Sequence, residues 1–233
     1  MNPLNNIPLY LYQGCPIGRP QTLYDYILAE QGLIKRVENN IASADCLLAP
    51  VAVPLIGLRL QPYPLQPLRF KLPRIPGRLL QDVLADARSN LDLEFMYHIS
   101  FDPVLGQWQV SRPEQQQSRV HVGYHYQDPG KIVVDLHSHN RMQAFFSPTD
   151  DGDERGGRFY AVMGRLDRAQ PELVVRLGMY GSWLYNVPGL VLFDDLGPFV
   201  DGYLETEEIY DIAPGSPDAD RSGWLANFFR RQQ

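Results

Sequence analysis

The chain is poor in cysteine, with only Cys15 and Cys46 among its 233 residues. Two cysteines are too few for a disulfide framework, and these two do not form a CxxC metal motif. No apolar run approaches the roughly 20 residues that span a bilayer. The N-terminus has neither the basic start nor the apolar stretch of a secretion signal. We therefore expect a cytoplasmic protein with reduced thiols and no membrane partner.

An excess of positive charge is also missing, because the formal net charge is −6 at pH 7. Such a chain has no overall field that would attract it to nucleic acid or anionic lipid, so we expect neither as a partner. The hydrophobic fraction of 44% and the charged fraction of 21% are those of an ordinary globular protein. A chain of this length can bury a substantial core, in one domain or in one domain with a smaller attachment.

Residues 1–75 are interpreted as a small N-terminal subdomain that is rich in proline and partly extended. Four apolar residues at helical spacing, with Thr22 as a candidate cap, predict a helix near its start. These residues are Leu23, Tyr26, Ile27 and Leu33. Seven prolines between Pro50 and Pro76 oppose helix and predict extended backbone there. The apolar residues between the prolines, such as Val53 and Leu55, need burial.

Residues 76–190 show the pattern of a mixed α+β domain. A helix is predicted over 78–89, because its apolar residues fall on one face. Residues 91–100 then alternate between apolar and polar side chains, which predicts a strand. Further strands are predicted at 107–112, 119–126, 131–137, 158–166 and 172–180. This order indicates an α+β fold with a mixed, curved sheet, in which residues 132–136 are apolar enough to be central.

Residues 191–233 are interpreted as an acidic C-terminal extension with a short amphipathic helix. The apolar residues of that helix are Trp224, Leu225, Phe228 and Phe229. The helix can dock onto the protein's own core or bind a partner, and the sequence leaves both readings open.

Two histidines, His137 and His139, follow the predicted central strand. Residues two apart on a strand point to the same face, so both imidazoles can aim at one point. Zinc takes about four nitrogen, oxygen or sulfur ligands, and a catalytic zinc site keeps one position for water. Asp150 supplies a carboxylate from the following loop. The three side chains therefore predict a site for one Zn²⁺ per chain, with a bound water.

Together with Ser147, these residues form the pattern HxH-x7-SxxD. The pattern resembles the metal-binding signature of the JAMM zinc metalloproteases, also called the JAB or MPN-plus family. The longer string HSHNRMQAFFSPTDD is similar to a narrower branch of that family, encoded by the PRTRC genetic system of bacterial plasmids. The resemblance implies a JAB/MPN-like sheet flanked by helices over about 76–190, in a layout like that of cytidine deaminases. It also implies hydrolysis of a peptide or isopeptide bond.

The resemblance also assigns two catalytic roles. Glu94, which comes from the strand after the first helix of the domain, matches the general base of the family; Asp92 is the runner-up and Glu114 is unlikely. Ser147 matches the donor of a hydrogen bond to the oxyanion of the tetrahedral intermediate, although a serine before Pro148 also suits a helix cap. The implied partners are a ubiquitin-like protein tail or its conjugate and an E1-like adenylating protein.

Two departures from the family pattern concern the substrate cleft. Asn140 stands where many relatives have proline, and residues 95–98 stand where many have a strand that contains glycine. A non-catalytic interaction module with the same fold is the alternative function. A zinc nucleoside deaminase is excluded because the HxE and PCxxC elements are missing, and the HExxH metalloproteases are excluded in the same way.

Two further histidines and an aspartate precede the motif in the sequence. His121 and His125 are expected at the surface or at the edge of the core. Asp135 lies on the same face of the predicted strand as His137 and is a weak candidate for orienting an imidazole.

Overall fold

The computed structural model describes residues 7–51, 56–117, 122–124 and 130–202. In these residues two mixed β-sheets of five and seven strands are accompanied by three short helices. The expected α+β class is therefore confirmed. The longest of the helices has 12 residues, and none of them has the length and hydropathy that a membrane span requires. The predicted C-terminal helix lies outside the described residues.

The N-terminal sheet contains five strands in sequential order. They are β1 (Leu9–Leu11), β2 (Tyr24–Ala29), β3 (Gly32–Glu38), β4 (Ala42–Pro50) and β5 (Arg69–Phe70). β1 runs parallel to β2, and each later neighbour is antiparallel to the one before it. This sheet has its own small apolar cluster around Ile27, Ala29 and Ile34.

The predicted helix after Thr22 is wrong, because its residues form the hairpin of β2 and β3. Burial in β2 alternates with a period of two, so that Asp25, Ile27 and Ala29 are buried and their neighbours are half-buried. The helical spacing of a few apolar residues was therefore coincidental, and pairing with β3 decides the conformation. Gly32 follows the turn with φ of +147°, and a Cβ there would collide with the Ala49 backbone oxygen.

The proline-rich segment contains a single 3-10 turn, Ile56–Leu58, and then the short β5. The remaining described residues between Pro50 and Pro76 form no helix, as the prolines predict. Val53 and Leu55 lie outside the described residues.

The larger sheet contains most of the predicted strands, and the predicted helix shares a core with it. The helices are α1 (Gly77–Arg88), α2 (Pro148–Asp153) and α3 (Gly189–Leu192). The strands are β6 (Met96–Asp102), β7 (Gln107–Ser111), β10 (Ile132–Ser138), β11 (Phe159–Gly164), β12 (Glu172–Gly178), β13 (Trp183–Leu184) and β14 (Val200–Asp201), with a separate hairpin of β8 (Gln115–Gln117) and β9 (Val122–Tyr124). The order is β13-β12-β11-β10-β6-β7, with β14 beside β12. β10 is central, as predicted.

The two faces of the larger sheet differ in chemistry. Alternation along β10 places Val134 and Leu136 on one face, in a core shared with the buried face of α1. The other face receives Asp135 and His137, and its register neighbours on β11 and β6 include Tyr160 and Met96. The central strand therefore has an apolar side that stabilises the domain and a polar side that carries the predicted ligands.

The two sheets share one core. Val37 and Ala42 from the N-terminal sheet belong to the same apolar cluster as Leu136. Phe70 packs edge-on against Phe159 with ring centroids 5.6 Å apart. The predicted domain boundaries at residues 75 and 190 stay predictions.

Candidate metal centre and active site

The three predicted metal ligands lie together. His137 Nε2 is 3.2 Å from His139 Nε2 and 3.6 Å from Asp150 Oδ1. One ligand atom from each residue lies within 4.8 Å of the others. Both histidines are buried, and the Asp150 side chain is 18% exposed. Residues 13 positions apart in the sequence thus converge on one point at the end of the central strand.

The backbone of the two histidines is fixed from both sides. His139 N donates to the Met163 carbonyl at 2.7 Å, and Ser138 N donates to the Phe95 carbonyl at 2.9 Å. The Ser138 hydroxyl in turn accepts a hydrogen bond from Phe95 N at 3.0 Å. β11 and β6 therefore hold the strand end on which the imidazoles stand.

Asn140 ends this segment in a left-handed conformation, with φ of +49°. Its carbonyl accepts a hydrogen bond from Leu166 N at 2.7 Å, and its side chain is buried. Proline is locked near −65° and cannot adopt this φ, whereas asparagine tolerates it better than most residues. The turn after His139 is therefore incompatible with the proline that many relatives carry at this position.

Asp150 is oriented by the start of α2. Ser147 is the N-cap of this helix, and its hydroxyl accepts a hydrogen bond from Asp150 N at 3.3 Å. Asp150 Oδ2 accepts in return from Ser147 N at 2.6 Å, which completes a capping box. One carboxylate oxygen is thus used by the cap, while Oδ1 faces His137. The capping interpretation of Ser147 is confirmed, and its role as an oxyanion donor stays a prediction.

The donor set fits zinc. Zinc–nitrogen distances of about 2.0–2.1 Å at a tetrahedral angle put two imidazole nitrogens about 3.3 Å apart, close to the 3.2 Å between His137 and His139. Burial lowers the pKa of His137 to about 4 and also lowers that of His139, against the opposing charge of Asp150. Both imidazoles are therefore neutral at pH 7, the form that binds a metal.

Glu94 is buried just before β6, with 4% of its surface exposed. The strand predicted over 91–100 begins only at Met96, because a turn occupies residues 91–93. Burial and then the charge of Asp150 raise the pKa of Glu94 to about 7. The alternative bases Asp92 and Glu114 are both exposed. Of the three carboxylates, Glu94 is thus the one whose environment suits proton transfer at neutral pH.

A cavity of about 280 Å³ opens beside His139. Its lining residues are Leu91, Asp92, His139, Asn140, Arg141 and Met142. Met142 also belongs to the exposed apolar residues, as does Phe145, whose ring lies edge-on to His139 with centroids 4.6 Å apart. The site therefore lies beside a partly apolar cavity.

Arg176 is a site residue that the sequence analysis missed. It is fully buried on β12, and its guanidinium donates to Glu154 and Asp151, on and beside α2. Burial raises the pKa of Glu154 to about 8, and Arg176 opposes this shift. Trp183 Nε1 also donates to the Glu154 carbonyl at 2.9 Å. The available signal was a single arginine among the apolar residues of 173–177.

The remaining candidates have different outcomes. Asp135 Oδ1 lies 3.6 Å from His98 Nε2, and Asp135 Oδ2 lies 3.6 Å from Arg158 Nη1. Its role in orienting an imidazole of the metal site stays a prediction. His98 is buried, whereas His121 and His125 lie outside the described residues. Of the two cysteines, Cys15 is exposed and Cys46 is half-buried, and both are free.

Comparison with known proteins identifies the domain that carries this site. A search of curated proteins found no match to the chain. A family model, described as prokaryotic homologs of the JAB domain, matches residues 78–177. This range includes α1 except its first residue, Glu94, the histidine pair, α2 and Arg176. Residues 78–177 of the protein therefore belong to the JAB/MPN family.

Proposed function

We propose that this protein is a zinc-dependent hydrolase that cleaves a peptide or isopeptide bond. The observation that carries the proposal is the convergence of His137, His139 and Asp150, whose ligand atoms lie within 4.8 Å of one another. Zinc held by these three residues would lower the pKa of its bound water to about 7 and would polarise the carbonyl of the scissile bond.

The chain's own residues supply the proton transfers. Glu94 is near half protonation at neutral pH, so it can take a proton from the attacking water and give it to the leaving amine. The water oxygen adds to the carbonyl carbon, the carbon–nitrogen bond breaks, and the proton goes to the amine nitrogen. The Ser147 hydroxyl donates a hydrogen bond to the oxyanion that forms between these steps.

We further propose that the substrate is the C-terminal tail of a ubiquitin-like protein or its conjugate. The similarity of residues 137–151 to the PRTRC branch supports this class, and it also suggests an E1-like adenylating protein as a cytoplasmic neighbour. The cavity of about 280 Å³ beside His139 supports a flexible tail as the substrate, because it is too small to hold a folded domain.

The test is cleavage of a ubiquitin-like protein fused through its C-terminal tail to a reporter protein. We expect one zinc per chain by metal analysis, loss of cleavage with a chelator and recovery with added zinc. Glu94→Gln should keep the zinc and lower turnover by about 10²–10⁴-fold, because it removes the base but not a ligand.

Glu114→Gln is the matched control, since this carboxylate is exposed and does not line the cavity beside His139, so turnover should stay near that of the wild type. Equal turnover of Glu94→Gln and the wild type would overturn the assignment of the base. A wild-type protein that binds zinc but cleaves no such fusion would favour the non-catalytic interaction module.

A further inference from the structure

We propose that Arg176 is a positioning residue for the metal centre, which holds α2 so that Asp150 reaches the two histidines. The inference rests on the proposed function only in that it takes His137, His139 and Asp150 as the metal ligands. It concerns the affinity of the site for zinc, and it does not depend on which bond is cleaved.

Arg176 contacts the chain on both sides of Asp150. Before Asp150, its guanidinium lies 3.9 Å from the centroid of the Phe146 ring. After Asp150, its Nη1 donates to Asp151 Oδ1 at 2.5 Å, while its Nε and Nη2 donate to Glu154 Oε2 at 3.0 and 2.7 Å. A single side chain from β12 thus holds the whole segment from 146 to 154.

α2 needs such a contact because apolar packing does not hold it. The helix has six residues, and none of them is buried. Helices of this length are not stable in water without tertiary contacts. The capping box fixes Asp150 relative to Ser147, but both residues belong to the same segment. The capping box therefore orders the helix internally, and Arg176 ties it to the sheet that carries the histidines.

The charges of the segment point to the same role. Asp150, Asp151, Asp153 and Glu154 bring four carboxyl groups together within five residues. Arg176 is fully buried, and its guanidinium also lies 4.7 Å from the centroid of the Trp183 ring. A planar guanidinium donates in several fixed directions and stacks on aromatic rings, which a lysine ammonium cannot reproduce.

The test compares Arg176→Met with Arg36→Met. Arg36 is also a buried arginine paired with a carboxylate, Asp25, but it lies in the N-terminal sheet. We measure zinc affinity by competition with a chromophoric chelator, melting temperature without metal, and the visible spectrum of the Co²⁺-loaded protein. Arg176→Met should weaken zinc binding by about 10–100-fold and change the Co²⁺ spectrum, as for other residues that orient ligands.

Arg36→Met should lower the melting temperature and leave zinc affinity and the Co²⁺ spectrum unchanged. Arg176→Lys should recover only part of the zinc affinity, because it keeps the charge and loses the geometry. Wild-type zinc affinity in Arg176→Met would overturn the inference, even if its melting temperature falls. If Arg176→Met binds zinc more weakly but the wild type cleaves no fusion, only the hydrolase proposal is overturned. A wild type that binds no zinc would overturn both the hydrolase proposal and the positioning role of Arg176.

If Arg176→Met does not fold, Asp151→Ala decides the question. The Asp151 side chain is 43% exposed, so its replacement removes one contact of Arg176 without disturbing a core. Weaker zinc binding at an unchanged melting temperature supports the positioning role, and unchanged zinc binding overturns it.

Discussion

Each of the two sheets buries an arginine against a carboxylate. One pair joins two adjacent strands, whereas the other joins a strand to a short helical segment. Arg36 and Asp25 are direct register partners on the adjacent strands β3 and β2. Arg176 bonds to residues 22 and 25 positions earlier, on and beside a short helix. The first pair joins strands whose backbones already hydrogen-bond, whereas the second joins a sheet to a segment that has little else to hold it.

This difference separates stability from site geometry. Removing one partner of a buried ion pair strands the other charge and costs about 3–5 kcal/mol, wherever the pair lies. Loss of the Arg36–Asp25 pair should therefore be felt as instability of the N-terminal sheet. Loss of the contacts of Arg176 should in addition move Asp150, and so should lower the affinity of the site for zinc.

The largest expected effect contrasts Asp150→Asn with Asp25→Asn. Asparagine at 150 can still accept the hydrogen bond from Ser147 N, so the helix cap survives, but the anionic ligand is lost. Zinc binding should weaken by more than the roughly 100-fold typical of residues that only orient ligands, and turnover should fall to background. The melting temperature of the metal-free protein should stay near the wild-type value.

Asp25→Asn should do the reverse, with a loss of about 3–5 kcal/mol in the free energy of unfolding and no change in zinc affinity. Denaturant unfolding and chelator competition measure the two quantities separately. A fall in zinc affinity for Asp25→Asn would show that the two sheets are coupled. It would contradict the view that the Arg36–Asp25 pair affects stability alone.

The sequence predicted the features that depend on local patterns and failed where pairing between segments decides the structure. The helix over 77–88 and the central strand carry local periodic patterns, and the histidine pair follows from spacing on that strand. The hairpin of β2 and β3 was mistaken for a helix because a few apolar residues happened to recur at helical spacing. Strand pairing with β3 overrode that signal, and such pairing is not encoded within one segment.

The contacts around the site were harder to predict for a similar reason. Glu94 was assigned through the resemblance to the family, whereas Arg176 belongs to no motif, and its one signal was a charged side chain among apolar neighbours. The partners of Arg176, Asp151 and Glu154, could not be predicted from the sequence around them, since only the order of the strands brings β12 beside α2. The left-handed conformation of Asn140 also depends on tertiary contacts, such as the hydrogen bond from Leu166 N.

A smaller effect is expected for Ser147→Ala, which removes both the cap and the predicted oxyanion donor. Loss of the cap should cost about 1 kcal/mol of stability, and loss of the donor should lower turnover by about 10²–10³-fold. Ser147→Thr is the control, because it keeps the hydroxyl. A variant Ser147→Ala that melts earlier but turns over at the wild-type rate would limit Ser147 to its capping role.

The smallest effect concerns Lys35, a buried residue of the N-terminal sheet. Its Nζ donates to the Tyr180 carbonyl at 2.9 Å and lies 4.0 Å from the centroid of the Tyr24 ring. Burial lowers the pKa of Lys35 to about 8, with an opposing contribution from Cys46. An unfolded lysine titrates near 10.4, so between pH 8 and about 10 the unfolded chain binds more protons than the folded one.

The contribution of Lys35 to the free energy of unfolding should therefore rise with pH in this window, by at most about 1.4 kcal/mol per pH unit. The measurement is the difference in unfolding free energy, at pH 7, 8, 9 and 10, between Cys46→Ser and the double variant Cys46→Ser, Lys35→Met. The tyrosines common to both proteins then cancel, and the thiol that interacts with Lys35 is absent. The difference should move in favour of the protein that keeps Lys35 as the pH rises, while zinc affinity is the same in both proteins. A difference that does not vary with pH would show that the ammonium of Lys35 is solvated in the folded protein. The N-terminal sheet would then bury the charge of Arg36 but not that of Lys35.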